Sequence, residues 1–324
     1  MTFGANEMRS SQMNAPAWTQ GPPETILLAT DLSSRCDRAL DRAADLAKRW
    51  RARLVVLTVL EPDAEGPGSG GGRDLPSWRQ PPDREAVAAA QLRRDLGKIL
   101  KAAEVRVVEG APAAAIDAVA REVGAGLIVT GIARDETLGR YLLGSTVERL
   151  AHQTPVPLLV VKNRLRPYDE ILVATDFSAS SQHALTAAAR FFPRTPLTLL
   201  HAWEVPFAGF LDKPDFRRQW SAMEKRGYEA FVSQSRLSED QRRDLQVLME
   251  HGSVDTIVPD YMRARNVDLV VVGTHGRSGV FDVRLGGTAR RILNIAPGDV
   301  LLIREPQSVR PSGSEPRDAS AAID

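Results

Sequence analysis

One cysteine, Cys36, occurs in the 324 residues of the chain. A lone cysteine closes no internal disulfide, so the sequence reads as that of a protein from a reducing compartment. A buried or bystander thiol is a simpler account of Cys36 than a redox centre. Charge of one sign is also lacking: 42 basic and 41 acidic side chains leave a net +1. That balance argues against a broad electrostatic footprint for nucleic acid, which needs a basic patch or a high pI, and leaves only a local patch open. No apolar run reaches the roughly 20 residues of a membrane-spanning helix. Met1 to Gln20 also lack the apolar centre of a signal peptide. A cytoplasmic location is therefore expected, with neither membrane nor nucleic acid as partner. No Gly-Lys-Ser/Thr of a P-loop is present. The five histidines, His152, His183, His201, His251 and His275, show no metal-ligand spacing with the cysteine, so no metal site is assigned. No nucleophile with an assignable base and no obvious carboxylate pair can be named, so no catalytic residue is assigned and an enzyme is not expected.

What the chain does have is a repeat. Ile26-Leu27-Leu28-Ala29-Thr30-Asp31 recurs as Ile171-Leu172-Val173-Ala174-Thr175-Asp176, an offset of 145. Leu127-Ile128-Val129-Thr130-Gly131 recurs as Leu269-Val270-Val271-Val272-Gly273, an offset of 142, which also carries Gly144-Ser145-Thr146 onto Gly286-Gly287-Thr288 and Pro155 onto Pro297. Landmarks about a hundred residues apart within each copy mark a duplicated domain, since solenoid periods run roughly 20–50 residues.

Short β-branched runs alternate with helical periodicity in each copy. In the first half, strands are predicted at 25–29, 53–60, 104–109, 126–130 and 158–162, with helices at 34–50, 84–102, 112–123 and from 145. The first helix presents Ala39, Leu40, Ala43, Leu46, Ala47 and Trp50 on one side, with Ser34 and Asp37 as a capping pair at its start. The second half predicts strands near 170–174, 197–202, 246–250, 268–272 and 300–303. Strict alternation with nearly continuous apolar strands gives an α/β fold: two tandem domains, each a five-stranded, mainly parallel sheet with helices on both faces. The expected division is a disordered tail over 1–22, domains at 23–163 and 168–304, and a second disordered tail over 305–324. The Gly/Pro-rich stretch 61–83 reads as flexible, and its chance G-x-G-x-x-G at Gly66–Gly71 as linker. The matching stretch 203–228 holds Trp203, Phe207, Phe210, Phe216, Trp220 and Tyr228, which suit packing first and an interaction lip second.

In such sheets ligands bind beyond the carboxyl ends of the strands, where strand order reverses. Asp31 and Gly131, like Asp176 and Gly273, directly follow strand ends. The second copy reads Gly273-Thr274-His275-Gly276, nine residues, then Gly286-Gly287-Thr288. Glycine there permits positive φ and close approach of a ligand. Successive amides can form an anion nest, and the following helix adds its open N–H groups and positive dipole end. Asp31 and Asp176 can accept hydrogen bonds from a base or ribose, help hold a metal, or simply cap a helix.

The Ala174-Thr175-Asp176-Phe177-Ser178 start, paired with Gly-x-x-Gly, nine residues and Gly-Ser/Thr, resembles the universal stress proteins over both halves. The resemblance implies cytoplasmic stress-response proteins of Rossmann-like fold. Many of them bind ATP or another adenine nucleotide, with Mg2+ as an optional companion and nothing covalently attached. It also implies pairing through the last strands, here 158–162 against 300–303 within one chain. A homodimer and an unidentified protein partner are compatible with it. The favoured nucleotide site is in the second half: Thr175, Asp176, Gly273, Gly276, Arg277, Gly286, Gly287 and Thr288. There Gly287 stands where the family has a hydroxyl residue. The first-half counterpart, Thr30, Asp31, Gly131, Arg134, Gly144, Ser145 and Thr146, has Arg134 at the second glycine position, expected to strain a positive-φ turn or to hold phosphate itself. Two other readings stand beside nucleotide binding: an interaction scaffold with decayed sites, and an ATP-hydrolysing enzyme.

Overall fold

A computed structural model describes residues 21–31, 37–62, 84–96, 103–135, 140–142, 144–204, 227–275 and 285–305. The side chains of 95–96, 133–135 and 140–142 are not described. Cys36, the Ser34 cap, nearly all of the 61–83 stretch, Phe207, Phe210, Phe216, Trp220 and most of both termini lie outside the described residues.

The first half runs β1 (Thr25–Ala29), α1 (Asp37–Trp50), β2 (Arg53–Leu60), α2 (Arg84–Leu96), β3 (Glu104–Glu109), α3 (Pro112–Glu122), β4 (Leu127–Gly131), β5 (Ala133–Asp135), β6 (Arg140–Leu142), α4 (Ser145–Gln153) and β7 (Leu158–Val161). The second runs β8 (Ile171–Ala174), α5 (Ala179–Phe191), β9 (Leu197–Trp203), α6 (Glu239–Asp244), β10 (Gln246–His251), α7 (Val254–Arg265), β11 (Leu269–Gly273), α8 (Gly287–Ile295) and β12 (Asp299–Ile303).

The strands form one ten-stranded sheet in the order β3-β2-β1-β4-β7-β12-β11-β8-β9-β10. Every neighbouring pair is parallel except β7 and β12, which run antiparallel. Along β1, Ile26 and Leu28 enter one core while Leu27 and Ala29 enter the other. Both faces are thus covered, which is why these strands are apolar without alternation. Complete burial of one such aliphatic side chain contributes about 1.5–3 kcal/mol. Helices α1 and α5 cover one face; α3, α4, α7 and α8 cover the other.

At the seam, Leu159 pairs with Leu301. These positions are 142 apart, so each is the other's repeat equivalent and the halves meet about a pseudo-two-fold axis. Reciprocal contacts follow. Lys162 Nζ donates to Leu293 O and Ala296 O, at the end of α8, at 2.7 and 2.8 Å. Arg304, 142 residues on, donates through Nη2 to His152 O, near the end of α4, at 2.7 Å. Each basic side chain thus donates to the open carbonyls at the end of a helix in the other half.

The connection between halves is anchored by a buried ionic cluster. Asp299 Oδ1 accepts the Lys162 and Asn163 amides at 2.8 and 3.1 Å, and Oδ2 accepts the Tyr168 hydroxyl at 2.6 Å. Arg42 of α1 lies with Nε 3.3 Å from Asp299 Oδ2, donates through Nη1 to Arg166 O, and stacks 3.9 Å from the centre of the Tyr168 ring. Burial pushes the Asp299 carboxyl up, opposed first by the Arg42 guanidinium. Burial also holds Lys162 down to about 7, with the Asp299 carboxylate opposing.

The predicted loop after Gly131 instead contains the antiparallel hairpin β5–β6, with Arg134 opposite Tyr141. Arg134 is therefore extended strand, and the positive-φ strain expected there is absent.

Candidate functional site

Strand order reverses between β8 and β11, and there a cleft of about 360 Å3 opens beyond the strand ends. Thr175, Asp176, Gly273, Gly286, Gly287 and Thr288 all line it. Gly276 and Arg277 lie outside the described residues.

The floor is set by the turn from β8 into α5. Thr175 N–H donates to Leu200 O at 2.9 Å, and Thr175 Oγ1 accepts the Phe177 amide at 2.9 Å. Phe177 takes φ 62, a costly conformation for a bulky residue, and packs its ring 4.5 Å from His201 and 5.5 Å from Phe231. That turn brings Asp176 Oδ1 to the Ser178 amide at 3.0 Å and the Ser181 hydroxyl at 2.7 Å. Ser178 and Ser181 form the reciprocal capping box of α5. Asp176 is thus not the cap; it braces the cap in an Asx turn while lining the cleft.

Gly273 lines the cleft but does not take the positive φ expected of it. It has ordinary strand backbone and no positive φ. A Cβ on it would come within 2.5 Å of Ser180 Oγ and 2.7 Å of the Ser180 backbone. The residue therefore lets the first turn of α5 press against β11. In the next turn, the His275 amide donates to Ser180 Oγ at 3.2 Å.

The opposite wall is the start of α8. Gly286 is its N-cap, extended at φ −58 and ψ 146, with no side-chain cap. Helices α5, α6 and α7 all begin at a serine whose hydroxyl accepts a backbone amide. The first turn of α8 has no such hydroxyl, and the Arg290 amide makes the first backbone bond, to Gly286 O at 3.0 Å. The amides of residues 287–289 thus have no partner within the helix. A Cβ at Gly287 would meet nothing within 4 Å, so this wall is open.

The sequence reading missed several residues of the lining: Ser181, Glu204, Gly252, Ser253 and Arg291. Gly252 and Ser253 carried a usable signal, a glycine at a strand end before a hydroxyl cap. Gly252 does take positive φ, 141°. Arg291 reaches Asp255 at 3.3 Å, across the mouth between α8 and α7. Among the described residues, no group of three His, Cys, Asp or Glu could hold a metal ion.

In the first half, Gly144 is the uncapped N-cap of α4, and Ser145 and Thr146 open that helix. Gly131 ends β4 opposite Val161, the Thr30 amide donates to Leu57 O, and Asp31 is exposed. Arg134 lies on the hairpin, and its side chain is among those not described.

The universal stress protein family model matches twice, over residues 23–162 and 167–304. A universal stress protein of Mycolicibacterium smegmatis is 27% identical over 296 residues, covering 86% of this chain and 96% of that one. One from Mycobacterium tuberculosis is 28% identical, covering 87% and 95%. Among solved structures, a Pseudomonas aeruginosa protein described as functionally unknown aligns with a TM-score of 0.63 at 18% identity, covering 90% of this chain and 95% of that one. A universal stress protein of Archaeoglobus fulgidus aligns with a TM-score of 0.59 at 19% identity, covering 87% and 98%. No described helix is long and apolar enough to cross a membrane. With both halves matched in tandem, the chain belongs to the universal stress protein family as a two-domain member.

Proposed function

We propose that this stress-response protein binds an adenine nucleotide, ATP first, in the second-half cleft, and that binding tunes its conformation or a partner contact. The observation that carries the reading is the start of α8, which has no side-chain cap. Gly287, Thr288 and Ala289, whose amides have no partner within the helix, line a cleft whose wall at Gly287 is open, as does the brace carboxylate of Asp176. Phosphates suit those amides, and the ends of β8 and β9 give the base an apolar flank of Ala174, Leu200 and Ala202. Mg2+, where it accompanies the nucleotide, would be carried mainly by the phosphates, with Asp176 and Thr288 among the cleft oxygens that could assist.

Binding without turnover is the favoured form. Asp176 Oδ1 is engaged by Ser178 and Ser181, and His275 Nδ1 sits 3.0 Å from Thr274 Oγ1, so these two acid–base groups of the cleft serve the turn itself. A scaffold reading draws on the buried seam between halves, which would hold with or without a ligand. Titration calorimetry with ATP separates the two: saturable binding that Gly287→Glu removes supports the nucleotide site, and absence of binding favours the scaffold.

A further inference from the structure

The start of α8 is held from two sides. The Gly286 amide donates to Thr274 O at 2.7 Å, within the second domain. The amide just before it, that of buried Leu285, donates to His152 Nδ1 at 2.7 Å, and His152 belongs to α4 of the first domain. Here Nδ1 must present a lone pair, so this geometry requires the neutral ring with its proton on Nε2. His152 is itself anchored, its carbonyl accepting Arg304 Nη2. One turn earlier on α4, Glu148 pairs with Arg290 of α8 at 2.5 Å.

We infer that His152 is a positioning residue for the second domain's nucleotide site, supplied by the first domain. The inference rests on the nucleotide reading above. The amides of residues 287–289 can bind phosphate only where the chain enters α8 at the right angle, and residues 285 and 286 set that entry. The Thr274 carbonyl fixes one of them and His152 the other. Without His152 the Leu285 amide loses this acceptor, and the entry into α8 at residues 285 and 286 shifts to satisfy it. Nucleotide affinity in one domain then depends on its seating against the other. The repeat supplies a control, because the position equivalent to His152 (152 + 142) is Asn294. An asparagine places its carbonyl oxygen about where the histidine places Nδ1.

The test is ATP titration of the full chain as wild type, His152→Ala and His152→Asn, with hydrogen exchange at the Leu285 amide measured without ligand. His152→Ala should weaken ATP binding about three- to tenfold and speed exchange at Leu285. His152→Asn should restore both to within about twofold, which a role in bulk packing would not produce. Wild-type affinity in His152→Ala, or His152→Asn as weak as His152→Ala, overturns the inference while leaving the nucleotide site standing. A wild type that binds no ATP defeats both.

Discussion

A Cβ placed on Gly273 would lie 2.5 Å from Ser180 Oγ, so the first turn of α5 and the end of β11 fit together only because residue 273 has no side chain. The glycine that looks most like a ligand-binding residue thus has a packing role first. Gly273→Ala should destabilise the protein by about 1–3 kcal/mol, the usual range for overpacking a tight site. Thermal unfolding without nucleotide checks this. A variant as stable as wild type would show that α5 moves aside freely.

Asp299 should matter far more than any surface carboxylate. Its removal leaves Arg42 buried and takes the acceptor from Tyr168 and from two backbone amides. Asp299→Ala is expected to cost about 3–5 kcal/mol, as for other buried pairs broken on one side. Asp260→Ala, which breaks an exposed i,i+3 pair with Arg263, should cost under about 0.5 kcal/mol. Denaturant titration of the two variants side by side gives the contrast.

Lys162 makes stability depend on pH in an unusual direction. Burial lowers the folded-state value to about 7 from the ordinary 10.5. Between these values the unfolded chain holds a proton that the folded chain has released, so stability rises with pH from about 7. The neutral amine still donates to the end of α8, and those contacts survive. Tyr168, raised by burial, reverses the trend above about pH 10, where the unfolded phenol ionises first. The melting temperature should therefore climb between pH 7 and 9.5 in wild type and climb less in Lys162→Met.

Gly287→Ser should tighten ATP binding. The position is open, and a serine there reproduces the Ser145 of the first half. One added hydrogen bond to phosphate contributes about 1 kcal/mol, or roughly fivefold in affinity. Calorimetry on the single variant checks it.

The architecture was legible because it is written in apolar runs and repeated. Strand alternation between two cores forces continuous hydrophobic strands; the pairing of 158–162 with 300–303 came from the family resemblance, and its Leu159–Leu301 register only from the structure. The site was legible only in part. Thr175, Asp176 and the Gly286–Thr288 turn lie in local motifs, whereas Ser181, Glu204 and Arg291 reach the cleft from other elements. Arg42 was hidden because its charge masked its place beside Ala39, Ala43 and Leu46 on the buried stripe of α1. The hairpin at Ala133–Leu142 was hidden because Arg134 was read against a glycine template, although its own chain pairs it with Tyr141. His152 carries no local signal at all, since its partner is 133 residues away.

The most direct test is calorimetric titration of ATP into wild type and Gly287→Glu. A Cβ at the first position of α8 meets nothing within 4 Å, and a glutamate there favours the helix dipole, so the ligand-free variant should be at least as stable as wild type. Its carboxylate would occupy the phosphate position. The account predicts saturable binding by wild type and none by Gly287→Glu. Equal binding by both, or no binding by wild type, would contradict it.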